Sequence, residues 1–161
     1  MRGLILQVNL SIGGLPKRPV GEAFLTPLGF EGDAVAHPGL HGGPDRAVLL
    51  AAAEAVDELA ARGYPLFYGA LGENLTTRGL DRANLRPGMR LRAGQAVIEL
   101  TRLRTPCASL DVYGPVLMRE IFREDAQPGE PVWGMAGFYA SVVRPGWVRT
   151  GDIICVVDTA V

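Results

Sequence analysis

Apolar residues recur along the chain in short runs separated by glycine and proline, a pattern that predicts many brief strands and few helices. Leu4–Leu10 reads as a first strand, Ser11–Val20 as a loop, and Glu22–Leu25 as a second strand. Ala47–Leu50 is a short apolar strand. It runs into the one strongly helical segment, Ala52–Arg62, where Ala52, Ala55, Val56, Leu59 and Ala60 mark one buried face. Gly63 is a natural stop for it. Gly69–Leu80 is a glycine-punctuated polar segment. Met89–Arg92 alternates apolar and basic residues, and Ala96–Thr101 pairs back on it as a hairpin. Asp111 is placed to cap a helix through about Glu124, with Leu117, Met118, Ile121 and Phe122 as its apolar stripe. Phe138–Val143, Trp147–Arg149 and Ile153–Val157 complete the strands. The last is apolar on both faces, which predicts a central strand with Cys155 in the core. These elements predict one mostly β (α+β) domain over residues 1–161: a closed or partly closed β-barrel with two or more helices packed at its rim.

Composition narrows the class. A chain of 161 residues buries about 70% of its unfolded-chain surface on folding, enough for a core without staples. Hydrophobic residues make up 48% and charged residues 20%, the range of soluble globular proteins. The N-terminal run is too short and too interrupted for a signal peptide, and no apolar stretch reaches the length of a membrane span, so the expected location is cytoplasmic. Two cysteines without a Cys-x-x-Cys pair are no disulfide framework, and both are expected to be reduced.

The net charge of −1 argues against a whole-molecule polyanion binder. The basic residues are fifteen arginines and Lys17, and seven arginines between Arg78 and Arg104 face only Asp81 and Glu99, a local net of +5. Arginine suits bidentate grip on phosphate or carboxylate, and ordinary solvated strand faces are the alternative. With aromatics at 7% there is no stacking platform for nucleic acid.

Three stretches carry candidate chemistry. Pro106 cannot continue a central strand, so Cys107 should sit on a loop just past a strand end, with Arg102 and Arg104 close behind. Nearby cations favour the thiolate, which is both nucleophile and metal ligand; a small buried hydrophobe is the alternative. Lys17 and Arg18, stiffened between Pro16 and Pro19, could hold an anion. The segment from Gly32 to Arg46 contains His37 and His41 at metal-ligand spacing, but Pro38, Gly39 and Gly42 oppose a helix. A glycine-rich loop with His41 and Arg46 at its rim is the better reading. Asn74 can both donate and accept hydrogen bonds, as an amide-like ligand requires, or can be a turn residue. A cysteine phosphatase loop would need arginine where Tyr113 stands. A Cys–His hydrolase would need His37 or His41 beside Cys107.

In order, the chain presents Pro16-Lys17-Arg18-Pro19-Val20, Gly32-Asp33, His41-Gly42-Gly43-Pro44-Asp45-Arg46-Ala47-Val48, Leu71-Gly72-Glu73-Asn74-Leu75-Thr76, Arg104-Thr105-Pro106-Cys107 and Gly151-Asp152-Ile153. Over about Leu4 to Val157 this resembles the MOSC domain, named after the C-terminal domain of molybdenum cofactor sulfurase, and is most similar to its small stand-alone bacterial members. The resemblance implies a β-barrel and molybdenum cofactor (molybdopterin) chemistry. Cys107 falls on the family's cysteine, which in some relatives ligates molybdenum and elsewhere has been proposed to carry sulfur as a persulfide. Lys17, Arg18, Arg46 and Arg104 would face the cofactor's phosphate and pterin, and His41 and Asn74 would bond pterin edges or shape the pocket. Three functions follow: an oxidoreductase that reduces N-hydroxylated compounds through cofactor held at Cys107; a sulfur carrier with a persulfide on Cys107; or a non-catalytic anion or pterin-binding module. A reductase would need a separate electron donor. A sulfur carrier would need a separate cysteine desulfurase, the only place pyridoxal phosphate would enter.

Overall fold

The computed structural model describes residues 1–34 and 42–157. Among the described residues eleven strands run in the order β1 (Arg2–Leu10), β2 (Arg18–Val20), β3 (Glu22–Thr26), β4 (Gly29–Phe30), β5 (Val48–Ala52), β6 (Leu75–Arg78), β7 (Arg90–Ala93), β8 (Ala96–Leu103), β9 (Phe138–Arg144), β10 (Gly146–Arg149) and β11 (Ile153–Val157). Helix α1 (Ala53–Ala61) follows β5, α2 (Leu117–Ile121) lies between β8 and β9, and short 3-10 turns cover Pro44–Arg46, Arg82–Asn84 and Ala108–Tyr113.

Seven strands close a barrel in the order β1-β11-β7-β8-β9-β5-β6 and back to β1. Strand β1 makes the closure because it is long enough to serve several neighbours. Its start pairs with β11, its middle with β6 across a bulge between Ile5 and Gln7, and its end with β2. All described barrel pairings are antiparallel except β5 with β6, and α1 is the crossover that a parallel pair requires. Strands β10, β3 and β4 form a separate small sheet, with Phe24 and Trp147 in edge-to-face contact at 5.5 Å.

The barrel interior is filled by alternate residues of each strand, among them Ile5, Leu50, Leu75, Leu91, Ile98, Leu100 and Phe138. A second cluster lies where α1, α2 and the Ala108–Tyr113 turn meet, built on Val56, Leu59, Leu71, Leu110, Leu117 and Ile121. The expected mostly β barrel with helices against it is therefore present. Among the described residues no helix is long and apolar enough to cross a membrane.

Several expectations need correction. The helix from Asp111 to about Glu124 is broken: a 3-10 turn ends at Gly114, which adopts φ 139°, and α2 spans only Leu117–Ile121. Pro115 lacks an N–H and disfavours helical backbone before it. Part of the Ser11–Val20 loop is a strand, β2, where Pro19 is tolerated because the strand lies at an edge. The polar Gly69–Leu80 segment supplies β6, whose threonines Thr76 and Thr77 are buried between β5 and β1.

Strand β11 buries only Ile154 fully, because a barrel strand has one interior face; Cys155 is half-exposed on the other, 3.8 Å from Arg92 Nη2. Cys155 is thus not a core residue. The arginine-rich stretch is dispersed rather than one patch. Arg78 pairs with Asp57, Arg90 with Glu99, and Arg82 and Arg86 donate to backbone carbonyls.

Candidate functional site

Strand β8 delivers the chain to the site. Arg104 N–H still donates to Gly137 O at 2.9 Å, and pairing then stops at the Pro106 turn. Cys107 stands at the entry of the Ala108–Tyr113 turn, where its carbonyl accepts from Leu110 N–H at 3.0 Å. Its half-buried side chain places Sγ 2.7 Å from Ser109 Oγ. The position expected for Cys107, on a loop just past a strand end, is the observed one.

Cys107 lines a cleft of about 1070 Å³, together with Lys17, Asp33, Arg46, Asn74 and Arg104. Five of the residues singled out in the sequence therefore meet in one cavity, although they span ninety positions. Arg18 is not in the lining; it lies on exposed β2 with its guanidinium 5.8 Å from the Phe67 ring, and Phe67 in turn lines the cleft. His41 and His37 lie outside the described residues.

The polar groups of this cleft divide into engaged and unengaged. Lys17 forms an ion pair with Asp33, both about nine-tenths buried. Asp33 also accepts from Ser11 N–H at 2.9 Å and Asn74 Nδ2 at 2.8 Å. Both donors of the Asn74 amide are used, since its Nδ2 also reaches Asn9 O at 3.3 Å, and its Oδ1 accepts from Leu49 N–H at 3.1 Å. Asn74 thus braces β5 against β1 and shapes the wall. Lys17 is held in register by Gly69: Lys17 N–H donates to Gly69 O at 2.9 Å, and a Cβ on Gly69 would collide with the Lys17 carbonyl oxygen.

Arg104 contrasts with these. It is 4% exposed, and its Nη1 is buried without a hydrogen-bond partner. Glu73, fully buried nearby, has the complementary defect. Its Oε1 accepts from Gly69 N–H at 2.7 Å and Thr76 Oγ1 at 2.9 Å, but its Oε2 has no partner. Burial pushes the Glu73 carboxyl up against the opposing pull of those donors and of Arg104. Tyr113, in the cleft lining, is also pushed up, by burial first and by Glu73 second. Across the cleft, Arg46 and Arg102 both lie over the Tyr139 ring, at 5.7 and 5.8 Å.

Glu73, Asp33, Ser109 and Tyr139 belong to the site or its wall and are not among the candidates named from the sequence. Glu73 had one legible signal, a lone carboxylate between Leu71-Gly72 and Leu75. Ser109 stands two positions from Cys107, whereas Asp33 and Tyr139 become visible only through contacts distant in sequence. Among the described residues no three of His, Cys, Asp and Glu are grouped to hold a metal ion.

The model of the MOSC domain matches residues 37–155. The chain belongs to the MOSC domain family. Among curated relatives, the protein YiiM of Escherichia coli (strain K12) is 37% identical over 133 residues, covering 80% of this chain and 56% of its own. The uncharacterized protein YflK of Bacillus subtilis (strain 168) is 36% identical over 143 residues, 86% of this chain and 60% of its own. This MOSC chain therefore spans somewhat over half the length of these relatives. The crystal structure of YiiM from Escherichia coli superposes with a TM-score of 0.74 at 28% identity, covering 99% of this chain and 71% of that one. That of YiiM from Geobacillus stearothermophilus gives 0.76 at 24% identity, covering 97% and 75%, a likeness of fold.

Proposed function

We propose that this MOSC domain holds the molybdenum cofactor in the cleft, with Cys107 as thiolate ligand to the metal, and reduces N-hydroxylated compounds. The observation that carries this reading is the meeting, in one cleft, of a thiol and the buried Arg104 guanidinium with an unpartnered Nη1. Buried polar groups are almost always paired, and an arginine is the usual partner of a phosphate. Thiolate is a soft donor suited to a transition metal. At about 1070 Å³ the cleft matches the upper end of ligand pockets, roughly 1,000 Å³.

Each residue then has a role that follows from its contacts. Cys107 binds the metal, and the Ser109 hydroxyl fixes the orientation of its sulfur. Arg104 and Arg46 hold the anionic end. Lys17, Asp33 and Asn74 keep the wall rigid through bonds already made, and Arg18 adds only positive field from outside. When bound, the cofactor would supply two-electron redox chemistry. The overall change takes two electrons and two protons, breaks the N–O bond and releases water, with the electrons coming from a separate donor protein. Protein loaded in a cofactor-making host and driven by reduced methyl viologen should convert an N-hydroxylated substrate, and Cys107→Ser should lose at least 100-fold of that rate. Full activity in Cys107→Ser would refute the assignment.

A second reading rests on the partial exposure of Cys107 beside a hydroxyl, which leaves room for one more sulfur atom. A partner desulfurase's persulfide would pass its outer sulfur to the Cys107 thiolate, and the partner's thiolate would leave. Incubation with a cysteine desulfurase and cysteine would then add 32 Da (about one sulfur atom) to the peptide bearing Cys107 and not to that bearing Cys155.

A further inference from the structure

The cleft has two chemically distinct parts. One part carries the buried Arg104 and Lys17–Asp33 pair together with the half-buried Cys107 thiol. The mouth carries Leu28, Phe67 and Val112, which line the cavity yet are 75%, 42% and 76% exposed. Exposed apolar side chains scattered singly need no explanation, but three around one concave opening do. They come from three separate places in the chain: the turn joining β3 to β4, the loop after α1, and the Ala108–Tyr113 turn. Local sequence does not put them together; the fold does.

The neighbouring polar groups do not offer a substrate much else. Asn74 has both amide donors engaged and its oxygen already accepts from Leu49 N–H, and the Lys17 charge faces Asp33. Asp33, itself paired, is the only carboxylate in the described lining, whereas Lys17, Arg46 and Arg104 are all cationic, and Arg18 lies against the rim at Phe67. With Lys17 paired and the two arginines of the lining assigned to an anion, Arg18 is the charge that a cation entering past Phe67 would meet. The surface is also concave and continuous with the cavity that holds Cys107, which fits a small molecule rather than a protein partner.

Resting on the function proposed above, we infer that Leu28, Phe67 and Val112 are specificity-determining residues that select a substrate with an apolar, non-cationic body, its polar reacting end directed inward to Cys107 and Ser109. Burial of a flat ring against the three side chains supplies affinity, and the Arg18 charge beside Phe67 disfavours positively charged analogues.

The test uses benzhydroxamic acid, uncharged at pH 7, and its cationic 4-amidino analogue. Binding is titrated by saturation-transfer NMR against the wild type, Leu28→Asp and Val112→Asp, both at exposed positions where folding should be unaffected. The wild type should bind benzhydroxamic acid at least tenfold more tightly than the amidine, and each substitution should weaken that binding at least tenfold. Absence of binding to the wild type, equal binding of the cation, or indifference to both substitutions would overturn the assignment. Molybdenum is measured on the same preparations. Rim-dependent binding without molybdenum would refute the cofactor reading and leave the rim assignment standing. Molybdenum with rim-independent binding would do the reverse.

Discussion

Glu73 Oε2 and Arg104 Nη1 are a buried acceptor and a buried donor, within electrostatic reach of each other, and neither has a hydrogen-bond partner in the protein. An unmet buried polar atom costs about 1–3 kcal/mol. Of the two, Arg104 lines the cleft, and its unmet donor marks the place where structure gives way to ligand chemistry.

The first prediction concerns Glu73. Its carboxyl in the unfolded chain titrates near the ordinary value of 4.5, and burial raises it in the folded protein. The folded state therefore keeps a proton that the unfolded state has lost. The stability this contributes is full below about pH 4.5 and is lost as pH rises through the folded value. Glu73→Gln removes this dependence while its side-chain oxygen can still accept from Gly69 and Thr76. Urea unfolding from pH 4 to 8 should show the wild type losing stability relative to the variant as pH rises. A constant difference would contradict the assignment.

Arg104 should be the residue that answers to anions. Sulfate that binds the folded chain raises its Tm by mass action. Arg104→Met should abolish the sulfate-specific rise over an equal ionic strength of chloride, whereas Cys107→Ser and Arg92→Met should retain it. Retention in Arg104→Met would place the anion elsewhere.

Asn74 is assigned to bracing the wall. Asn74→Ala leaves Leu49 N–H without its side-chain acceptor and removes one donor each from Asn9 O and from Asp33, which keeps Ser11 N–H and Lys17. The expected cost is about 2–4 kcal/mol, read as a lower urea midpoint with an unchanged m-value. A cost under about 0.5 kcal/mol, the range of neutral surface changes, would show that the wall does not depend on it.

Gly69 is required for two reasons, its φ of +99° and its approach to the Lys17 carbonyl oxygen. Gly129, with φ +96°, has open space around it. Gly129→Ala should cost about 1–2 kcal/mol for backbone alone, and Gly69→Ala clearly more, with displacement of Lys17 from the wall. Equal melting temperatures for the two variants would remove the packing argument.

What the chain disclosed in advance depended on how local the cause was. The β7–β8 hairpin followed from alternation between Pro87-Gly88 and Gly94, and the place of Cys107 followed from Pro106. The break between the Ala108–Tyr113 turn and α2 lies at Gly114-Pro115, a local signal that a reading from the apolar stripe of Leu117, Met118, Ile121 and Phe122 alone does not use. Strand β6 was hidden because its buried Thr76 and Thr77 are polar residues accepted only in a strand flanked on both sides. The engagement of Lys17 by Asp33, sixteen positions away, and the burial of Glu73 are products of barrel closure, with no local signal for either. Cys155 illustrates the opposite error, since an apolar run on a barrel strand still has an outer face.

The measurement that tests the central claim most directly is elemental analysis for molybdenum on wild type and Cys107→Ser, each purified from a host that makes the cofactor. The account predicts molybdenum approaching one atom per chain in the wild type and its loss in Cys107→Ser. Metal that survives the substitution, or none in either protein, would contradict Cys107 as the ligand that holds the cofactor in this cleft.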